Sequence, residues 1–402
     1  MTNRYEMSMM RGRYKEVRMV RMLLGLVVSV GLLSAGVSAD TMLKSALHDF
    51  RVVTVVDTLV QPWSMVFLPG GDTLITERPG RLRILRNGKL VPQPVEGVPA
   101  VLHSSQGGLL EVAAHPNFAS NRMLYLTFSK PSADGKEATT ALVRGRYEDG
   151  RLTGVEQLFE SVSKGRGHFG GKIAFDRNGF VFLTLGDRQA PPEGNLEAHP
   201  AQDLSNHHGK LIRLHDDGRV PADNPFVNRA GARPETWSYG HRNVQGIVIH
   251  PETGDLLANE HGPQGGDELN RILPGLNYGW PVIGFGVNYR TGLAIHKGTH
   301  LEGMEQPRHI WVPSIGISGA MIYTGDRFPQ WKGNLFVGGL SGQQLGRLTM
   351  KGMNVVSEET LMPQMGRIRD VRQGLDGFIY VITDDRDGKP TPVYRLEPVE
   401  RK

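Results

Sequence analysis

Residues 172–187 read KIAFDRNGFVFLTLGD: an apolar segment, a turn of Asp, Asn and Gly, and a second apolar segment. Alternating apolar residues on both sides of such a turn predict a β-hairpin. The same pattern occurs five more times along the chain, which gives six predicted hairpins. The other five are WSMVFLPGGDTLITE from Trp63, LLEVAAHPNFASNRMLYLTF from Leu109, IVIHPETGDLLANE from Ile247, AMIYTGDRFPQWKGNLFVGG from Ala320 and VRQGLDGFIYVITDD from Val371.

A third apolar strand follows four of these hairpins and makes each unit a small antiparallel meander. The four strands lie in GRLRILRNGK from Gly80, ALVRGRYEDGR from Ala141, GKLIRLHDDGR from Gly209 and QLGRLTMKG from Gln344. Six such units predict an all-β fold, a six-bladed β-propeller of four-stranded antiparallel blades. A two-domain sandwich is the alternative, and the six-fold repeat argues against it.

The two ends of the chain supply strands that can close the propeller. The segment HDFRVVTVVDTL from His48 can complete the sheet that contains the last hairpin and PVYRLEP near Pro392. Such pairing removes two open sheet edges. No long 3.6-residue apolar periodicity follows Ala39, so we expect helices to be few and short.

The N-terminal segment has the organisation of a signal peptide. Five basic residues between Arg11 and Arg21 precede the apolar run LLGLVVSVGLL, and small residues follow the run up to Asp40. This order predicts a signal peptide over residues 1–39, cleaved after Ala39, and a single propeller domain over residues 40–402. The run is too short for a lasting membrane span; an uncleaved anchor is the alternative. We therefore expect a periplasmic or secreted protein with no stable membrane span after cleavage.

Charge and composition exclude several classes of protein. Residues 1–39 hold six Lys or Arg and two acids, so they account for +4 of the formal net charge of +5. The rest of the chain is nearly neutral, which argues against a nucleic-acid partner. The absence of cysteine excludes disulfides, thiolate metal sites and cysteine nucleophiles. The 51 glycines and 25 prolines indicate a globular chain with many tight turns.

Two segments carry groups suited to acid–base and oxygen chemistry. Residues 165–171, GRGHFGG, place His168 in an open glycine loop before a hairpin, and an imidazole can accept a proton from an alcohol. Residues 239–246, YGHRNVQG, present the donors of Arg242, Asn243 and Gln245 to an oxygen-rich ligand. A loop histidine without a role, and amides that cap loop carbonyls, are the alternatives.

Two further segments concern metals. Residues 259–270, NEHGPQGGDELN, offer main-chain carbonyls, acids and amides, and hard oxygen ligands of this kind suit calcium better than zinc. Neither HExxH nor EF-hand spacing is present. The pair His207 and His208 lacks a third ligand, so a surface loop is the alternative to a transition-metal site.

Arg367 and Arg369 are two residues apart on a predicted strand, so both guanidiniums should project from one face. Neighbouring cations require an anion, which is either a carboxylated ligand or an acid such as Asp370 or one from a neighbouring blade. No GxGxxG follows a strand and there is no βαβ alternation, which argues against a Rossmann site for NAD or FAD.

Several of these motifs occur together and in a fixed order. They are QGGLLEVAAHPNF, GHFGGKIAF, GKLIRL with DNPF, WSYGHRNVQG, NEHGPQGGDELN with LNYGWP, and RIRDVRQGLDGFIYVITD. The series resembles the aldose sugar dehydrogenase branch of the soluble glucose/sorbosone dehydrogenase family, from about Trp63 to about Leu396. The resemblance implies a propeller that binds pyrroloquinoline quinone (PQQ) with calcium, oxidises the anomeric carbon of an aldose to a lactone, and passes electrons to an acceptor that the sequence does not identify.

The resemblance also implies roles for individual residues. His168 would take the proton of the C1 hydroxyl while hydride passes to the quinone, and Arg242 would stabilise the charge that develops on the quinone oxygen. Gln106 and Asn243 would position cofactor and substrate. Arg367 and Arg369 would pair with the cofactor carboxylates. The main-chain carbonyls of Gly262 and Pro263 would bind the cofactor calcium. Glu268 and Tyr278 would bind a second, structural calcium.

Two positions depart from the family pattern. Ser341 falls where the family has a lysine that contacts the cofactor, so we expect weaker cofactor binding unless another cation such as Lys332 takes its place. Gly167 precedes the histidine where some relatives carry an acid, so the imidazole is expected to lack a partner that raises its basicity. A calcium-dependent lactonase and a carbohydrate-binding propeller without catalysis are the alternative functions.

Overall fold

The computed structural model describes residues 41–400, and nearly all of their regular structure is β. The strands are numbered in chain order. Two precede the first hairpin: β1 (Thr41–Leu43) and β2 (Asp49–Val60). Blade 1 contains β3 (Pro62–Phe67), β4 (Asp72–Glu77), β5 (Arg81–Arg86) and β6 (Lys89–Leu90). Blade 2 contains β7 (Leu109–Ala114), β8 (Met123–Pro131), β9 (Ala138–Glu148) and β10 (Arg151–Glu160), with helix α1 (Phe118–Asn121) between the first two strands.

The other blades follow the same plan. Blade 3 contains β11 (Ile173–Phe175), β12 (Val181–Leu185), β13 (Lys210–Leu214) and β14 (Thr236–Tyr239), with 3-10 turns at Leu196–Ala198 and Pro200–Gln202. Blade 4 contains β15 (Val244–Ile249), β16 (Leu256–Glu260), β17 (Asp267–Ile272) and β18 (His309–Trp311). Blade 5 contains β19 (Ile317–Ile322), β20 (Leu335–Gly339), β21 (Gln344–Lys351) and β22 (Asn354–Leu361), with a 3-10 turn at Pro329–Trp331. Blade 6 contains β23 (Arg367–Gln373), β24 (Ile379–Asp384) and β25 (Pro390–Val399).

These sheets form a six-bladed β-propeller, so the predicted fold class is confirmed. Each of the six predicted hairpins joins the first two strands of a blade. Strand β2 pairs antiparallel with β25, as expected for closure, so blade 6 combines strands from both ends of the described residues. One feature was not predicted: β1 adds to the outer edge of β2, so that this blade has five strands.

The innermost strands form a closed ring. Strands β3, β7, β11, β15, β19 and β23 each contact the innermost strands of the two neighbouring blades. Between the blades, apolar side chains of facing sheets pack together. Trp331, Phe336 and Phe50, for example, join blades 5 and 6 in one buried cluster. This burial of apolar surface between neighbouring sheets stabilises the fold, and no disulfide adds to it because the chain has no cysteine.

Charged side chains of the innermost strands meet in the middle of the ring. The Lys172 ammonium lies 3.0 Å from Glu111 and 3.2 Å from Asp370, and Arg372 pairs with the same two acids. Two cations and two anions therefore neutralise one another across three blades, as buried charges require.

The predicted signal peptide at residues 1–39 lies outside the described residues. Within residues 41–400, no helix is long and apolar enough to cross a membrane.

Candidate active site

A cavity of about 700 Å³ lies at one end of the ring. All six blades contribute to it with residues at, or just before, the start of their innermost strands: Trp63, Leu110, Gly170, Gln245, Gly316 and Arg367. All six residues predicted to be catalytic or cofactor-binding line this cavity, although they come from four separate segments of the sequence. They are Gln106, His168, Arg242, Asn243, Arg367 and Arg369.

His168 lies in the loop before β11, and its side chain is buried at the edge of the cavity, 7% exposed as a residue. The sequence predicted that this histidine would be accessible in an open glycine loop, whereas the structure shows that its side chain is buried. The imidazole Nδ1 lies 2.6 Å from Asp187 Oδ1, and the other carboxylate oxygen of Asp187 accepts a hydrogen bond from Trp280 Nε1 at 2.8 Å. The expectation that His168 lacks an acidic partner is therefore wrong, because Asp187, just after β12, supplies one.

Burial and the surrounding charges together favour the neutral form of the His168 imidazole. Burial lowers the pKa of His168, Asp187 raises it, and the cations of Arg242 and Arg188 lower it further, so that the net shift is downward from the ordinary value. The carboxyl of Asp187 is buried, but His168 and Arg242 keep its pKa below the ordinary value. The arrangement is an ionised acid that orients a neutral base, which is suited to removing a proton from a hydroxyl group.

Two predicted residues hold the histidine loop. Gln106 Oε1 accepts a hydrogen bond from the His168 backbone N–H at 2.8 Å, and Asn243 Oδ1 accepts one from the Gly170 backbone N–H at 3.2 Å. Both side chains also line the cavity. They connect the loop of blade 3 to blades 2 and 4.

Arg242 lies in the loop between β14 and β15 and reaches across to the segment that was predicted to bind calcium. Its Nη1 donates to Gly262 O at 2.8 Å, and its guanidinium lies 5.1 Å from the ring centre of Trp280. Its Nε is buried and has no partner among the described residues. Arg242 also lines the cavity, so its guanidinium can donate a hydrogen bond to a ligand bound there.

Arg367 and Arg369 both line the cavity, as their two-residue spacing predicted. Arg369 pairs with Asp384 Oδ2 at 3.0 Å, which is an acid of the adjacent strand β24. Asp370 faces the ring centre and does not pair with either of them. The Nε atoms of Arg367 and Arg369 are buried and lack a partner within residues 41–400. One carboxylate for two guanidiniums leaves room for an anionic ligand.

The predicted calcium segment, residues 259–270, runs from the end of β16 through the connecting turn into β17. Gly262 N donates to Asp267 Oδ1 at 3.0 Å, and Pro263 lines the cavity. No group of three or more His, Asp or Glu side chains that could hold a metal ion occurs in the described part of the chain. A cation at this loop would therefore depend on main-chain oxygens and on the ligand itself.

Glu268 lies behind the same loop and directly opposite Glu260 across the β16–β17 ladder. Burial and the neighbouring Glu260 raise the pKa of Glu268 to about 8. Glu260, Glu268 and Tyr278 line a pocket of about 20 Å³, which is enough for one water or ion. The Tyr278 hydroxyl is already bonded to Arg271 O and Leu273 N, so Tyr278 can contribute only a main-chain oxygen.

Ser341 lines the cavity, but Lys332 does not replace the missing lysine. Lys332 pairs with Asp326 in an exposed position, and it is not among the cavity residues. Two other cations, Arg78 and Arg386, do line the cavity. Burial and the nearby Arg369 lower the pKa of Arg78 to about 10. The sequence pattern marked neither arginine.

The histidine pair is structural. His207 is buried and bonds Glu235 at 2.7 Å, and His208 bonds the Ser163 hydroxyl at 2.9 Å. The surface-loop interpretation is therefore wrong for His207, because its imidazole is a buried partner of a carboxylate.

The model of the Glucose / Sorbosone dehydrogenase family matches residues 59–395. The aldose sugar dehydrogenase YliI of Escherichia coli is 42% identical over 347 residues, which is 84% of this chain and 91% of that protein. A crystal structure of a glucose dehydrogenase is 45% identical, covers 87% of this chain and 99% of its own, and superposes with a TM-score of 0.80.

A third relative was solved with its cofactor. The PQQ-bound form of the aldose sugar dehydrogenase of Streptomyces coelicolor is 28% identical, with a TM-score of 0.69, and covers 87% of this chain and 98% of its own. The family match spans most of the described propeller, including all the cavity segments named above. The chain belongs to the glucose/sorbosone dehydrogenase family.

Proposed function

We propose that this protein is a PQQ-dependent aldose dehydrogenase that oxidises the anomeric carbon of a sugar to a lactone. The observation that carries the proposal is the position of the His168–Asp187 pair in one cavity with three guanidiniums whose buried Nε atoms lack partners among the described residues. A neutral base next to several unsatisfied cationic donors suits proton removal beside an anionic cofactor.

The donor set fits PQQ, which brings three carboxylates. Arg367 and Arg369 would each form a charge-assisted pair with a carboxylate, the strong class of hydrogen bond. Arg242 would face the oxygen on which negative charge develops. The PQQ-bound relative supports the cofactor assignment.

The loop from residue 259 to residue 270 fits a cofactor-bound calcium. The carbonyls of Gly262 and Pro263 are hard oxygen donors, and a cofactor carboxylate would add further oxygen. The pocket between Glu260 and Glu268 is a second candidate, because a divalent cation there would offset the burial and the repulsion by Glu260 that raise the pKa of Glu268. We assign a structural calcium to it, with Tyr278 contributing its main-chain oxygen.

The chain's own groups would carry out the proton chemistry. Asp187 accepts the Nδ1–H of His168, which leaves Nε2 to take the proton of the C1 hydroxyl. Gln106 and Asn243 hold the loop so that this nitrogen keeps its place at the cavity. When bound, PQQ supplies the hydride acceptor. Electrons would then leave to an acceptor outside the protein, and the N-terminal sequence suggests that this happens in the periplasm or after secretion.

Asp187→Asn is expected to reduce turnover without loss of cofactor affinity. The amide can donate to Nδ1 and favour the wrong tautomer, and it no longer supports the imidazolium. The loss should be a substantial part of the roughly 10²- to 10⁴-fold effect of a general base. Because Asp187 raises the pKa of His168, its loss should also move the acidic limb of kcat/KM to lower pH. Steady-state kinetics from pH 5 to 8 would check both effects, and an unchanged kcat would contradict the role of Asp187.

Ser341→Lys is expected to tighten PQQ binding by about 1 to 3 kcal/mol, the usual scale for a hydrogen bond to a charged group. Loss of Arg367 or Arg369 should weaken binding. Calorimetric titration of apo-protein measures these effects, with Lys332→Ala as a control cation outside the cavity. Unchanged affinity in Ser341→Lys would contradict the prediction and indicate that Arg78 or Arg386 already fills the role.

The proposed function is tested by adding PQQ and calcium to purified apo-protein and following dye reduction with a panel of aldoses. We expect saturable PQQ binding and aldose-dependent dye reduction. Hydrolysis of lactones without PQQ would instead support the lactonase alternative, and sugar binding without either reaction would support a carbohydrate-binding propeller.

A further inference from the structure

Arg188 is a buried cation whose partners are not acids. The residue follows Asp187 in the segment after β12 and is 6% exposed. It forms no ion pair within residues 41–400, and burial lowers its pKa to about 9. A guanidinium removed from water is costly unless its donors are satisfied.

The donors hold the loop that carries His168. Arg188 Nη1 donates to His168 O at 2.6 Å, and Nε donates to Ser163 O at 3.3 Å, near the other end of the loop. Nη2 donates to the Thr140 hydroxyl at 2.7 Å, and that hydroxyl donates in turn to Phe169 O at 2.7 Å. One guanidinium thus fixes the loop at three points, two directly and one through Thr140.

The loop needs such support because its backbone is strained. His168 has φ of 45°, the left-handed region that is unfavourable for a residue with a side chain. Strain of this kind costs on the order of 1 to 3 kcal/mol and persists only where surrounding contacts impose it. The His168 carbonyl also lies so close to Gly186 that a Cβ there would sit 2.1 Å from the oxygen. The Arg188 bond to that carbonyl therefore fixes the backbone at the strained residue itself.

Electrostatics connects the same guanidinium to the imidazole. The charged and titratable groups that act on His168 are Asp187, Arg242 and Arg188, and the imidazole of His261 is near as well. Arg188 and Arg242 lower the pKa of His168, whereas Asp187 raises it. Loss of the Arg188 charge should accordingly raise it.

We propose that Arg188 is a positioning residue for the reaction: its buried guanidinium fixes the backbone of residues 163–169 so that the His168 imidazole remains on Asp187, oriented to accept the substrate proton. The inference rests on the proposed function of His168 as the base. It goes further because Arg188 touches neither the imidazole nor the cavity residues assigned to cofactor or metal, and acts through its bonds to the loop and through its charge.

The test compares Arg188→Met and Arg188→Lys with Arg213→Met. Arg213 is an equally buried arginine, 6% exposed, on β13 of the same blade, where it pairs with Asp223 away from the cavity. Two quantities are measured on each variant. One is the titration of the His168 imidazole in histidine-labelled apo-protein by NMR, assigned with His168→Gln; the other is kcat and KM with PQQ and calcium. Melting temperatures are recorded for all variants.

Arg188→Met should raise the pKa of His168 and lower kcat by about ten- to a hundredfold, the scale for a misplaced catalytic group, with a smaller change in KM. Arg188→Lys keeps the charge but cannot reach three points, so kcat should fall less and the titration should move less. Arg213→Met should lower only the melting temperature.

The proposal is overturned if Arg188→Met, or Arg188→Lys where the Met variant does not fold, leaves both the titration and kcat as in wild type. It is equally overturned if Arg213→Met matches their effects. Failure of the wild type to oxidise any aldose would reject the proposed function, and the apo-protein titration would still decide whether Arg188 positions His168.

Discussion

Replacing His168 by alanine is expected to lower kcat by about a hundredfold or more, while folding and PQQ affinity stay close to wild type. The physical reason is that the variant retains the arginines that would bind the cofactor but loses the atom that would accept the proton. Removal of a general base costs roughly 10²- to 10⁴-fold in rate. In the wild type, burial and the nearby cations place the pKa of His168 below its ordinary value, so kcat/KM should be level at neutral pH and fall only in acid.

The measurement is steady-state dye reduction beside a calorimetric PQQ titration of the same preparation. His115→Ala is a matched control, because His115 follows the far end of β7, where it accepts a hydrogen bond from Asn117 N outside the cavity. It should keep wild-type turnover. Near wild-type turnover in His168→Ala would show that another group is the base.

Removal of calcium is expected to abolish activity, and calcium should restore it far better than zinc. The oxygen atoms around residues 259–270 are hard donors, and no cluster of three or more His, Asp or Glu side chains suited to a metal occurs in residues 41–400. Dialysis against a chelator, metal analysis and assay after each metal is added back would measure this. Full activity of metal-free, PQQ-loaded protein would reject a catalytic role for calcium.

The two candidate calcium positions can be separated by one variant. Glu268→Gln removes a carboxylate that could bind a cation in the pocket behind the loop but leaves the carbonyls of Gly262 and Pro263 in place. We expect it to reduce the calcium-dependent gain in melting temperature and to leave PQQ affinity nearly unchanged. If the variant lost both PQQ affinity and the calcium-dependent gain in melting temperature, the two calcium positions would not be independent.

The fold was predictable because its signals are local. Each hairpin, including residues 172–187, combines period-two apolar alternation with a turn, and these features occur within about twenty residues of one another. The pairing of β2 with β25 could be inferred because the ends of the chain otherwise leave open edges. The three-residue strand β1 was missed, since so short a segment has no measurable alternation.

The site was predictable only in part, because its chemistry depends on contacts between distant segments. The shared location of Arg367 and Arg369 followed from strand geometry. The partner of His168 could not be inferred in this way, because Asp187 is 19 residues further along the chain. Trp280, which also bonds Asp187, is another 93 residues beyond it. Asp187 ends the hairpin TLGD, which was the one signal available. The burial of His168 could not be predicted for the same reason, since glycine neighbours indicate backbone freedom and do not indicate which distant residues pack against the loop.

The most direct test of the central claim is to mix PQQ-loaded protein with an aldose in the absence of any electron acceptor and to follow the absorbance of the bound cofactor. If the protein transfers hydride from the anomeric carbon with His168 as base, the spectrum of the oxidised cofactor should disappear in one rapid phase in the wild type. It should change at least about a hundredfold more slowly in His168→Ala. Persistence of the oxidised spectrum in the wild type with every aldose tried, at saturating cofactor and calcium, would contradict the account.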